Sequence, residues 1–150
     1  MPVLQKIVLL CFGLLFSPMA LAQDEIMPVV KTPPLLIITN AYAHASSPHG
    51  RNTAIYMTII NNGETAEQLV GASSPLAERV ELHASMSDRG LRRMYEVDKI
   101  DIPAHGQLVL KPGAYHLMPI ALKQPLPVGG QLPLKLSFSV SGEVKLMVKA

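Results

Sequence analysis

"QLPLKLSFSVSGEVKLMVK", residues 131–149, closes the chain with two alternating runs around Ser141 and Gly142. Alternation is the mark of a half-buried β-strand, because successive side chains point to opposite faces of a sheet. Upstream, "AYHLMPIALK" (114–123) follows a Pro112–Gly113 turn and precedes the loop "QPLPVGG" (124–130). "QLVLKPG" (107–113) is a strand after the turn "AHG", and "LRRMYEVDKIDIP" (91–103) gives one or two short strands after the turn "SDRG". In the fourth strand, within "AERVELHAS" (77–85), Val80, Leu82 and Ala84 face one way while Glu81, His83 and Ser85 face the other. "EQLVGASSP" (67–75), "TAIYMTIIN" (53–61) and "LLIITNAYAHAS" (35–46) read as the third, second and first strands. "SPHGRN" is a loop, and "NNGETA" (61–66) is expected to be a hairpin turn of the Asn-Gly type, with glycine taking a positive φ. Short strands at regular spacing, thirteen prolines and no helical period predict an all-β fold, a Greek-key β-sandwich or barrel.

The first segment does not belong to that domain. "MPVLQKIVLLCFGLLFSPMALAQ" has Lys6 near its start, an apolar run from Ile7 to Phe16 and a small-x-small site at Ala20–Ala22. Residues 1–22 read as a secretory signal peptide, 23–34 as a polar, proline-rich lead-in and 35–150 as the domain. The apolar run is too short to span a bilayer, so a soluble, exported, periplasmic protein is expected. Lipidation at Cys11 fits poorly, since Leu10 stands where a small residue belongs. Cys11 is also the one cysteine, so cleavage would leave no disulfide and no thiolate ligand. The formal charge of +2 drops by one with Lys6, which argues against a polyanion-binding surface. Arg89, Arg92 and Arg93 are a small solvated cluster, and the absence of Trp leaves base stacking poorly provided for; no nucleic-acid partner is expected.

Between His83 and Met118 the chain spaces four donors: His83, Met94 after ten intervening residues, His116 after a further twenty-one, and Met118 two residues on. Two imidazoles and two thioethers form a neutral, soft set, and among biological metals such a set suits Cu(I). Met118 lies two residues beyond His116, so in a strand both project from one face. A hairpin at "SDRG" would bring His83 toward Met94, placing the site on two hairpins at one end of the domain. Taken singly, each donor has a plainer explanation. A lone Met is more often core filler, and a lone His beside Tyr115 is more often an ordinary hydrogen-bonded residue.

The four spacings, together with "RVELH", "GASSP", "PGAYHLM" and "LPLKLSF", resemble the periplasmic copper chaperone family called PCuAC. The likeness runs from roughly Thr39 to Phe138, and all four positions of the family's metal motif match. It implies a cupredoxin-like β-sandwich that holds Cu(I) and passes it to a copper-receiving protein, a cytochrome c oxidase subunit or another assembly factor. A Met that often follows the first His is replaced here by Ala84; Met86 lies nearby but is not counted as a ligand. Some members carry a His- and Met-rich tail for a second, Cu(II) ion; no such stretch stands before Ala150, so a second site of that kind is not expected. His49 and His105 sit in turn contexts and read as solvated, while His44 is a candidate for a weak accessory Cu(II) site.

Such a site would be expected to lose metal as its histidines protonate near pH 6. Rival readings stay open: copper buffering or tolerance without a client, and a metal-free β-sandwich that contacts proteins. A blue-copper carrier fits poorly for want of a thiolate. A zinc hydrolase would need carboxylate ligands, for which Glu81 and Glu96 have no telling spacing. A monomer and no enzymatic activity are expected.

Overall fold

The computed structural model describes residues 35–150, in which the chain forms ten strands. They are β1 (Leu36–Ala43), β2 (Ile55–Asn61), β3 (Glu67–Ser73), β4 (Arg79–Asp88), β5 (Leu91–Glu96), β6 (Ile100–Ile102), β7 (Gly106–Leu110), β8 (His116–Ile120), β9 (Gln131–Phe138) and β10 (Gly142–Lys149). No helix occurs among the described residues. The signal peptide and lead-in read from the sequence lie outside them.

Neighbouring strands run β4–β8–β2–β1–β10–β9–β3, and β3 returns to β4 through the pair Ala72↔Val80. The sheet thus closes into a seven-strand barrel. It is mixed, because β1 and β10 are parallel whereas the other pairs in the ring are antiparallel. Closure pairs both sides of these strands and removes their free edges. Strands β5, β6 and β7 attach to β4, β3 and β2.

Alternation supplies the core. Leu132, Leu134, Leu136 and Phe138 of β9 point inward, as do Val80, Leu82 and Ala84 of β4. They meet Ile55, Ile59, Leu69, Leu117 and Val148, all completely buried. Each such aliphatic side chain contributes about 1.5–3 kcal/mol by transfer from water. Two tight turns fix the register. At the tip of β4–β5, Arg89 (φ 50°) and Gly90 (φ 82°) are both left-handed between the paired residues Asp88 and Leu91, the pattern of a type I′ hairpin. Between β9 and β10 the chain needs three residues, with Gly142 (φ 76°) re-entering the ladder opposite Phe138.

"NNGETA" is not a hairpin. β2 pairs with β1, β7 and β8, whereas β3 pairs with β4, β6 and β9, so the segment crosses from one side of the barrel to the other. Gly63 is not among the residues with positive φ. The loop is closed by a side chain instead of a ladder. Completely buried Asn61 donates through Nδ2 to the Thr65 carbonyl (2.8 Å) and accepts the Gly63 N–H at Oδ1 (3.0 Å). Asn61→Ala should therefore lower stability by about 1–3 kcal/mol, read as the shift in a urea unfolding midpoint at unchanged slope. A shift near zero would show that the loop does not depend on this amide.

β7 and β8 do not pair with each other either, so the Pro112–Gly113 turn is no hairpin. β7 lies along β2 from Met57↔Leu110 to Asn61↔Gly106, whereas β8 runs along β4 over its whole length and touches β2 only at Ile55↔Leu117. The intervening loop is closed by bonds from Lys111 N to Tyr115 O and from Ala114 N to Lys111 O. It shifts the chain off β2 and onto β4, where the candidate donors lie.

Candidate metal centre

The four sequence-predicted donors fall on three adjacent strands, β5, β4 and β8. In an antiparallel ladder, residues directly opposite one another share a face. His83 is opposite His116, Met118 is opposite Glu81 and Met94 is opposite Ser85. His83, Glu81 and Ser85 themselves alternate with the inward residues of β4, so one outward face carries all four donors. At the site one connection, β4–β5, is a hairpin; His116 and Met118 arrive on a strand bonded directly to β4, so the site is not built on the two hairpins expected from the sequence.

The rings of His83 and His116 stand edge to face, with centroids 5.6 Å apart. A cleft of about 350 Å³ opens beside them, lined by Met94, His116 and Met118 together with His44, Tyr56 and Arg92. His83 is not part of this lining; it joins the group through its contact with His116. Exposure separates the donors. His116 is buried, His83 and Met118 are half-buried, and Met94 is 61% exposed, which rules out core filling as its role.

Hydrogen bonds fix both imidazoles. His116 Nδ1 lies 3.1 Å from the Ala114 carbonyl oxygen, and His83 Nε2 lies 2.7 Å from Glu81 Oε2. The other Glu81 oxygen accepts from Arg79 Nε at 2.6 Å. Arg79 first, and His83 after it, holds the Glu81 carboxyl below the usual range. His83 Nδ1 is buried and has no hydrogen-bond partner among the described residues. A buried nitrogen left without a partner costs about 1–3 kcal/mol, so this atom calls for an explanation. A metal ion accepting its lone pair would supply one. The surrounding donors fit such an ion: a second imidazole and two thioethers, neutral and soft.

Other residues define the surroundings. Tyr56 stands between His44 (5.1 Å between centroids) and His116 (6.3 Å), with Tyr42 5.2 Å from it. Burial, and secondarily Tyr42, pushes the Tyr56 phenol up. His44 shares the cleft but is set apart from His116 by that ring. Met86 is opposite Arg93, out of phase with the Ser85–Met94 pair, and therefore faces away from the four donors. Reading the sequence passed over Arg79 and Glu81 as partners of His83. Their spacing at i, i+2 and i+4 puts all three on one strand face but does not by itself single them out.

The family profile of LpqE-like lipoproteins matches residues 36–150. The chain belongs to the LpqE-like family. Two relatives are lipoprotein Lxx21020 of Leifsonia xyli subsp. xyli, 35% identical over 88 residues (58% of this chain, 53% of the relative), and protein RP573 of Rickettsia prowazekii, 30% identical over 99 residues (65% and 55%). The LpqE-like chain spans about half the length of these two relatives. Among solved structures it is similar to the copper-bound PCuAC domain from PmoF2, with a TM-score of 0.67 at 20% identity over 79% of this chain and 94% of that one. It is also similar to Cu(I)-DR1885 of Deinococcus radiodurans, with a TM-score of 0.58 at 30% identity over 85% and 81%. The PmoF2 likeness is one of fold, and it bears out the all-β, cupredoxin-like architecture expected from the sequence.

Proposed function

We propose that this LpqE-like protein is an exported copper carrier that holds one Cu(I) with His83, Met94, His116 and Met118 and passes it to a copper-receiving partner. The observation that carries the reading is the direct cross-strand pairing of His83 with His116, with both thioethers on the same face and a buried, unpartnered Nδ1 on His83. Support comes from DR1885, 30% identical and determined with Cu(I) bound. The leader-like residues 1–22 and the family's lipoprotein name support export to the periplasm, with 35–150 as the working domain.

Unequal exposure suits transfer. An incoming ligand reaches exposed Met94 first and buried His116 last, so the donors can be displaced in steps. None is a thiolate, so the protein's ligands need not take up a proton on release. The client the reading favours is a protein on the route to the copper centres of cytochrome c oxidase.

The test is titration of the protein lacking residues 1–22 with Cu(I) against a competing chelator. One equivalent should bind, and the affinity should fall in acid as protons compete for the imidazole nitrogens. No competition with the chelator, or full affinity retained at pH 4, would sink the proposal.

A further inference from the structure

We infer that Glu81 is a positioning residue that selects the His83 tautomer with Nδ1 free, so that His83 binds metal through Nδ1 while His116 binds through Nε2. The inference rests on the copper-site reading above and assigns the donor atoms within it. A carboxylate only accepts, so the 2.7 Å contact to Glu81 Oε2 requires the proton on His83 Nε2. In a neutral imidazole that leaves the lone pair on Nδ1, the one buried side-chain atom of this group with no hydrogen-bond partner among the described residues. Arg79 Nε, 2.6 Å from Oε1, occupies the other oxygen and fixes the carboxylate plane. Both oxygens are thereby engaged, although Glu81 lies directly opposite the donor Met118.

The same reasoning gives the opposite result for His116. The Ala114 carbonyl oxygen also only accepts, so Nδ1 of His116 carries the proton and Nε2 keeps the lone pair. One ring is thus set by a side chain on its own strand and the other by the backbone of the loop before β8. Partners of this kind orient metal-binding imidazoles, and their loss typically lowers metal affinity about 10–100-fold.

The test is a long-range ¹H–¹⁵N correlation spectrum of the metal-free protein at neutral pH, repeated with one equivalent of Cu(I) and in Glu81→Ala and Glu81→Gln variants. The metal-free wild type should show His83 protonated on Nε2 and His116 on Nδ1. Copper should then move the ¹⁵N resonances of His83 Nδ1 and His116 Nε2 most. Glu81→Ala should erase the His83 preference, leave the His116 pattern unchanged and weaken Cu(I) binding about 10–100-fold. Glu81→Gln, which keeps one acceptor oxygen, should retain part of both properties. Protonation of His83 on Nδ1 in the wild type would overturn the inference. So would an affinity loss in Glu81→Ala with the His83 pattern unchanged, or no change in either. If the wild type took up no Cu(I), the copper reading would fail, while the metal-free spectra would still decide the part played by Glu81.

Discussion

His116→Ala is expected to abolish competitive Cu(I) binding, with a loss of more than about 100-fold, beyond that typical for removing a supporting residue. His116 is the candidate donor that ties the proposed group together. It pairs with His83 across the β4–β8 ladder, shares its strand face with Met118 and lines the cleft with Met94. Its removal would leave one imidazole and two thioethers, a three-donor set with a single nitrogen. The barrel should survive, because the inward neighbour Leu117 keeps β8 seated in the core and the Ala114–Lys111 bond closes the loop through backbone atoms. Circular dichroism and thermal melting of the metal-free variant would separate lost ligation from lost folding. Met94→Ala should weaken binding less, since Met94 is largely exposed and solvent already competes for its place. Wild-type affinity in a folded His116→Ala protein would remove this histidine from the site.

The strands were legible because their signal is local. Leu132, Leu134, Leu136 and Phe138 show a period of two whatever they pair with, and Val80, Leu82 and Ala84 do the same opposite His83. Pairing is a tertiary property, and there the reading failed. Asn-Gly at 62–63 looks like a hairpin because that dipeptide favours one, but buried Asn61 closes the loop with its own amide and β3 leaves for the far side of the barrel. Pro112–Gly113 likewise marks a turn without revealing that β7 and β8 share β2 as a neighbour instead of pairing with each other. The donors could be picked out through their spacing and likeness to a family. Their common face required the registers His83↔His116 and Ser85↔Met94, which no spacing along the chain contains. The Arg79–Glu81–His83 arrangement was missed because a carboxylate two residues from a histidine is common, and only the 2.6 and 2.7 Å contacts distinguish this one.

The largest effect on stability should come from Glu67, far from the donors in sequence and in function. This carboxylate is buried at the start of β3 and holds the β9–β10 turn. Oε1 accepts from Gln68 N (2.9 Å), Ser139 Oγ (2.7 Å) and Val140 N (2.9 Å), and Oε2 accepts from Ser141 N (2.7 Å). Burial alone would raise its pKa, but these four bonds outweigh it and hold the group at about 2, against an ordinary 4.5. Because the folded value is the lower one, the stabilisation is fully present above about pH 4.5 and is lost as the pH falls toward 2. The shift corresponds to about 3 kcal/mol. Glu67→Gln preserves size and one acceptor oxygen but turns an N–H toward the Ser141 N–H, so it should cost about 2–3 kcal/mol at pH 7. Glu81 and Glu143 are also held low, by Arg79 and Lys135 respectively, and they bend the acid limb of the wild type in the same direction. The informative quantity is therefore the difference between wild-type and Glu67→Gln stability, from urea unfolding of the metal-free proteins at steps between pH 7 and pH 2. That difference should be constant down to about pH 4.5 and then shrink, because only the wild type has this carboxylate left to protonate. Parallel curves across the whole range would mean that the buried carboxylate adds nothing a neutral amide does not.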